Sequence, residues 1–142
     1  MIYARIDLEK TNYTTLQSNW QFIRNPDIDA LNNIYIQYCK HKKFRSVMPI
    51  FNSEYTDTQT DVIGYFDNNQ LEAFSLIKKY DHDNVEALQF AWTYHDPKLR
   101  LGITSLEHEC ALYKHLGYKF LYLGEANEYK SKIQGFEILQ GY

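Results

Sequence analysis

Apolar and polar positions change their period along the chain, and each change marks an element. Ile2, Ala4, Ile6 and Leu8 alternate with Tyr3, Arg5, Asp7 and Glu9, the period of a half-buried strand. After the break at Asn25, Pro26 and Asp27, Ile28, Leu31, Tyr35 and Tyr38 recur at helical spacing. That spacing predicts a helix capped at the break and running to about Lys42. Residues 44–55 read as a second short helix interrupted at Pro49, and 56–61 as a polar loop. Residues 62–66 and 71–80 are apolar, aromatic runs around Asp67, Asn68 and Asn69, the signal of a hairpin.

A turn at 81–84 leads into 85–94, which is apolar on both alternating faces: Leu88, Phe90, Trp92 and Tyr94 on one, Val85, Ala87 and Ala91 on the other. Such a run predicts an internal strand covered on both sides. Asp96 and Pro97 end it, because proline cannot donate to a ladder and restricts the residue before it. From Ile103 the period becomes helical, with Leu106, Cys110 and Tyr113 following on one side of a helix of about 14 residues. Gly117 supplies a left-handed stop, and 118–123 form another short strand. Strand, loop, helix and strand over 85–123 make a β-α-β crossover with parallel strands. The three meandering strands before it make the sheet mixed and mostly antiparallel, flanked by helices, an α+β fold in one domain over 1–142.

The loop before that helix carries the candidate chemistry. A glycine there, Gly102, lets a ligand approach the backbone, and the first helical N–H groups favour an anion beside Lys98 and Arg100. This stretch resembles the GNAT acyltransferase superfamily, whose members mostly bind acetyl coenzyme A. Its signature loop reads Arg or Gln, two residues, Gly, one residue, then Gly or Ala. Aligned on Gly102, the chain has Leu99 and Thr104 at the first and last of those positions. The long strand before the loop, the helix closing on HLGYKFLYL and the terminal GFEIL segment follow the family order.

The string LGITSLEHECALYKHLGYKFLYLG, followed by NEYKSKIQGFEIL, is also similar to the carboxy-terminal part of the arginyl and leucyl aminoacyl-tRNA–protein transferases. Those distant GNAT-fold relatives carry LGTYSILxEIxxAxxLGYxYLYLG and then NYKxKF. The similarity covers about the last 45 residues. Their amino-terminal, cysteine-bearing part has no counterpart here.

The resemblance implies an N-acyltransferase that moves an acetyl or other acyl group from coenzyme A to a primary amine of a small molecule or peptide. The Trp92, Thr93 and Tyr94 backbone would pair with the pantetheine arm. The pyrophosphate would meet Lys98 and the N–H groups of Arg100, Leu101, Gly102, Ile103 and Thr104. Tyr129 would be the acid that protonates the leaving thiolate, although it lies six residues before Gly135 where the family pattern has four. Glu125 and His95, each just beyond a strand end, are the candidate bases. The transferase similarity implies an alternative, an aminoacyl-tRNA-dependent enzyme with a basic track from His41, Lys42, Lys43 and Arg45 to Lys98, Arg100, Lys130 and Lys132. A third alternative is a non-catalytic binding module or dimer partner of the same fold, with Trp92 or Tyr129 filling the phosphate site.

Composition narrows these choices. With 44% hydrophobic and 16% aromatic residues the chain belongs to the globular class, and a net charge of −3 gives no global field toward nucleic acid or membrane. The start has no secretory arrangement and no run of about 18 apolar residues occurs, so the expected location is cytoplasmic, with no membrane partner. Cys39 and Cys110 read as buried helical thiols, not as a disulfide or zinc set. No metal is expected: Glu107, His108 and Glu109 diverge by about 100° per residue on a helix and read as a solvated face, while Asp81, His82 and Asp83 read as turn residues. The tyrosines are compatible with a homodimer surface.

Overall fold

Asp27 stops the chain from extending into the first helix: its Oδ1 accepts from the Ala30 amide at 3.2 Å. Helix α1, Ile28–Lys42, follows, and Lys43 closes it in the left-handed conformation at φ 58°. The computed structural model describes residues 2–11, 13, 19–44, 50, 52–126 and 130–139. Ahead of α1 lie strands β1, Tyr3–Asp7, and β2, Trp20–Phe22. After it come helix α2, Asn52–Thr56, and strands β3, Thr60–Asp67, β4, Gln70–Lys79, and β5, Asn84–Trp92. Helix α3, Leu101–His115, leads to β6, Phe120–Glu125, and β7, Phe136–Leu139, closes the series. Pro49 and most of the polypeptide between α1 and α2 lie outside the described residues, so of the second helix expected over 44–55 only α2 is seen.

The seven strands form one sheet in the order β2-β3-β4-β5-β6-β1-β7. Every neighbouring pair is antiparallel except β5 and β6. Asn68 and Asn69, at φ 50° and 64°, make the two-residue turn between β3 and β4, a conformation that asparagine tolerates and that matches strand twist. Asp81 turns β4 into β5 by accepting from the Asp83 and Asn84 amides at 2.8 and 2.9 Å, so its carboxylate is spent on the turn. β1 inserts between β6 and β7, and so pairs segments more than 110 residues apart in sequence, such as Arg5 with Tyr122.

Helix α3 covers one face of the sheet over a cluster that includes Ile6, Ile63, Tyr65, Ala73, Ile77, Val85, Trp92 and Leu121. Helices α1 and α2 cover part of the other face over Val62, Phe74, Leu76 and Ala91. Strict alternation along β5 does not hold. Leu76 of β4 stands opposite Gln89, and the next residue, Ile77, opposite Ala87, so Leu88 is an extra residue in a β-bulge. The bulge reverses the side-chain parity beyond it. Val85, Ala87, Phe90 and Trp92 therefore all pack with the α3 layer, and Leu88, expected inward beside Phe90 and Trp92, is 42% exposed.

Cys39 and Cys110 are both buried, free thiols within α1 and α3, as their helical context implies. Among the described residues no helix is long and apolar enough to cross a membrane.

Gly135 joins β7 to β1 at φ 93°, and the Asp7 amide donates to its carbonyl at 2.9 Å. A Cβ there would stand 2.5 Å from the Asp7 carbonyl oxygen. Gly135→Ala is expected to lower stability by about 2 kcal/mol or more, through a left-handed penalty plus displacement of β7 from β1. Denaturant unfolding beside the wild type measures it, and an unchanged midpoint would refute this account of the junction.

Candidate active site

Parallel strands β5 and β6 pair at only three positions, Asn84 with Phe120, Val85 with Leu121 and Glu86 with Tyr122, and then part. Beyond Glu86, the edge of β5 that faces β6 has no ladder partner. A cavity of about 410 Å³ occupies the gap. Its walls include the β5 segment from Ala87 to Phe90, Leu123 of β6, Tyr38 and Phe44 at the end of α1, and Gly102, Ser105, Leu106 and Glu109 of α3. Lys130, which donates to the Leu123 carbonyl at 3.3 Å, also lines it. A second cavity of about 270 Å³ shares Tyr38, Phe90 and Gly102 and adds Lys42, Trp92, Tyr94, Arg100 and Ile103.

The loop between β5 and α3 differs from the sequence expectation. Asp96 and Pro97 start a single 3-10 turn, Pro97–Leu99, and Arg100 takes the left-handed conformation at φ 49° to start the helix at Leu101. Gly102 therefore lies in the first helical turn, not in the loop. It has no positive φ, and a Cβ on it would meet nothing within 4 Å. Its contribution is open space, since both cavities touch it.

Of the five amides considered for phosphate, that of Arg100 donates to Pro97 at 3.2 Å, and those of Ile103 and Thr104 donate to the Arg100 carbonyl at 3.2 and 3.1 Å. The Leu101 and Gly102 amides have no partner among the described residues and lie at the positive end of the helix dipole. The Leu101 side chain is core, and the Thr104 hydroxyl donates back to the Arg100 carbonyl at 3.0 Å. Lys98 is exposed on the 3-10 turn.

At the end of β5, Trp92 is buried and Tyr94 adopts φ 59°. The Tyr94 ring stacks on His41 at 3.7 Å and lies parallel to Tyr38, with Lys42 Nζ 5.9 Å from each tyrosine ring. Thr93 faces the other way: its amide donates to the Glu72 carbonyl and its hydroxyl to Glu72 Oε2 at 2.5 Å. His95 points to the same side, with Nε2 3.0 Å from Asp67 and Nδ1 3.1 Å from Glu72, and lines neither cavity of the strand gap. Glu125 ends β6 opposite Tyr3 of β1. Tyr129 lies outside the described residues.

Glu109, one residue of a stretch expected to be solvated, is 3% exposed, and its neighbour His108 is 1% exposed. The helix runs under the sheet with residues on nearly all sides covered, so a charged position there becomes a buried one. Glu109 Oε2 accepts from the Tyr65 hydroxyl at 2.5 Å and from the Ser75 hydroxyl at 2.7 Å. Burial pushes this carboxyl up to about 7, against the opposing pull of those two bonds. Burial holds His108, packed against Trp20 and Tyr65, down at about 4, and raises the Tyr65 phenol well above its usual value. Glu109, which the sequence reading passed over, unites burial, a wall of the strand-gap cavity and a shifted pKa. Its position three residues beyond the buried Leu106 was the available signal.

A larger hollow, about 700 Å³, lies between residues 22–26 and 55–62. Its carboxylates serve structure: Asp57 accepts from the Gln59 amide, and Asp61 holds the Tyr113 hydroxyl and Lys79.

No family profile matches the chain, and no curated protein matches it in sequence. Solved structures do match in fold. The C-terminal domain (DUF2156) of a protein named as a lysylphosphatidylglycerol synthetase from Agrobacterium fabrum aligns at TM-score 0.61 and 16% identity, over 88% of this chain and 46% of that one. A GCN5-related N-acetyltransferase from Anabaena variabilis aligns at TM-score 0.66 and 7% identity, over 98% and 37%. The Saccharomyces cerevisiae N-myristoyltransferase, solved with bound myristoyl-CoA, aligns at 0.59 and 13%, over 82% and 34%. The chain has the GNAT fold, and it spans less than half the length of each of these three structures.

The two buried neighbours on α3 make opposite contributions to stability. Glu109 is raised from 4.5 to about 7 on folding, so its contribution is full below about 4.5 and is lost as pH rises to about 7. His108 is lowered from 6.5 to about 4, so its contribution is present above about 6.5 and is lost as pH falls. In the wild type the two slopes oppose each other. Glu109→Gln removes one and is expected to gain on the order of 3 kcal/mol relative to wild type between pH 4.5 and 7. Urea unfolding of both proteins across that range tests it, and a pH-independent difference would sink the assignment.

Proposed function

We propose that the chain is an N-acyltransferase that moves an acyl group, acetyl as the first candidate, from coenzyme A to a primary amine by direct attack. The observation that supports it best is the gap between β5 and β6, which opens at one end onto the start of α3. The smaller cavity offers the open amide of Gly102 at the helix start and the cations Lys42 and Arg100 to a diphosphate. The larger one offers the unpaired edge of β5 to an amide-bearing arm and leads its thioester toward Glu109. Such a site orients the reactants, and its donors stabilise charge as it develops on the carbonyl oxygen. Tyr129 remains the candidate acid in this proposal and Glu125 a candidate base. His95, held by Asp67 and Glu72 at the hairpin, would need to move to serve.

The placement of Lys42, Arg100 and Lys130 around adjoining cavities favours a second donor, an aminoacyl-tRNA, whose backbone those cations would meet.

Calorimetric titration with acetyl coenzyme A, beside aminoacylated tRNA at two salt concentrations, separates the two. The expected result is micromolar binding of the coenzyme, weakened at least about tenfold by Gly102→Phe, because a ring there fills the junction of the cavities (by the tenfold-per-1.4 kcal/mol relation). Circular dichroism should show that variant folded, since its Cβ meets no atom. Failure to bind acetyl and longer acyl coenzymes, with salt-dependent tRNA binding, would replace the first donor by the second.

A further inference from the structure

Glu109 reaches the strand gap from the helix beneath the sheet, not from a strand end. Both of its hydrogen bonds fall on Oε2, and Oε1 has no partner among the described residues although the residue lines the larger cavity. The rest of that wall mixes apolar Tyr38, Phe44, Leu88, Phe90, Leu106 and Leu123 with Gln89, Ser105 and Lys130, which donate to the Phe90, Gly102 and Leu123 carbonyls. Glu109 is the one carboxyl of that lining, and with the other polar side chains engaged locally and six large apolar side chains around it, the site suits a ligand with one amine on a hydrocarbon body.

We propose that the Glu109 carboxyl receives the acceptor amine and takes its proton, and that the acceptor is a primary amine carried on an apolar body. This rests on the acyltransferase reading above. The amine nitrogen adds to the thioester carbonyl carbon, forming the C–N bond, and one proton passes from nitrogen to Glu109 Oε1. The carbonyl re-forms as the C–S bond breaks, the thiolate leaves with the electron pair, and the proton returns from Glu109 to sulfur, so that Glu109 takes both the base role offered to Glu125 and the acid role offered to Tyr129. An amide and a free thiol result, and the carboxylate is restored.

Tyr65 from β3 and Ser75 from β4 fix Oε2 and leave the other oxygen for this exchange. Further ionisable groups around it are His108, Cys110 and Tyr113 on its own helix, all buried, and Lys130 across the cavity. A carboxyl held near neutrality is matched to proton transfer at neutral pH. Tyr65 is a positioning residue, since its hydroxyl acts through Glu109.

The test uses the full chain with acetyl coenzyme A as donor and phenethylamine, hexylamine and ethanolamine as acceptors, following thiol release from pH 5 to 9, with coenzyme calorimetry on every variant. The two apolar amines should exceed ethanolamine in kcat/KM by at least about tenfold, the lower end of what a hydrophobic pocket discriminates. Glu109→Gln should bind the coenzyme as the wild type does and lose roughly 10²- to 10⁴-fold in turnover, together with the low-pH limb of the rate profile. Glu109→Asp, which keeps the charge but withdraws it, should also lose turnover with binding intact, and serves if the amide variant does not fold. Tyr65→Phe should lower turnover less than Glu109→Gln does and move the low-pH limb to higher pH, because its bond holds the carboxyl down.

Wild-type turnover in Glu109→Gln, equal rates with ethanolamine, or coenzyme binding without thiol release from any amine would each overturn this inference and leave the binding reading standing. No binding of acyl coenzymes by the wild type would overturn both.

Discussion

Three rungs of parallel pairing, and no more, hold β5 to β6. Had the ladder continued, the sheet would be unbroken above α3, and Glu109 would be a buried carboxyl with no reason to be one. Because the strands part, the edge of β5 and the upper face of α3 border the same space. Two features maintain the parting. The bulge at Leu88 bends β5 and increases its local twist, and β1 pairs along the other edge of β6, leaving that strand anchored away from β5. The cavities, the open helical amides and the buried polar cluster all follow from this local break.

The bulge also explains why α3 can be buried nearly all round. With parity reversed beyond Leu88, Phe90 and Trp92 join Val85 and Ala87 over the helix, while Ala91 faces α1. Nine α3 residues are buried, among them Ser105, His108 and Glu109. Unpaired burial of such groups is costly, and for Glu109 it is offset by hydroxyls from two adjacent strands: Tyr65 and Ser75 stand on the same sheet face, one on β3 and one on β4. Helix and sheet are therefore tied by polar contacts at the depth where ligand chemistry would occur.

Most of the fold was legible from periodicity. The span and cap of α1, the Asn68-Asn69 turn, the three-strand meander and the β-α-β crossover all have local signatures, and each element is present in that order, with the crossover's bounds displaced: β5 ends at Trp92, α3 starts at Leu101 and β6 is Phe120–Glu125. What was not legible is non-local. One inserted residue at position 88 has no compositional mark, so alternation placed Leu88 inward and set Phe90 apart from Val85. The insertion of β1 between β6 and β7 joins the two ends of the sequence, which no local window contains. Gly102 was read as a loop residue because Asp96 and Pro97 signal a break, but a single 3-10 turn and a left-handed Arg100 bring the helix start forward. Glu109 was read as solvated because neighbouring helical residues point in different directions. That argument excludes a shared metal ion without saying which directions meet solvent, and under this sheet few do.

The two adjoining cavities carry opposite electrostatics, and that asymmetry gives the gap a direction. At the α3 start, Arg100, Lys42 and open amides attract anionic oxygens; near the middle of the helix, an acid with a cavity-facing oxygen attracts a proton or a cation. A donor with phosphates at one end and a neutral carbonyl at the other would fit one way round, since reversal would set its phosphates against Glu109 in a partly enclosed, weakly screened space. The acceptor must then approach from the Phe44 and Lys130 side, with Lys130 at that wall disfavouring a second positive charge. On the proposed reading, the same carboxyl that lowers stability as pH rises toward neutrality would fix the order of reactants along the gap, a division between stability and activity that is common where a polar group is buried for use.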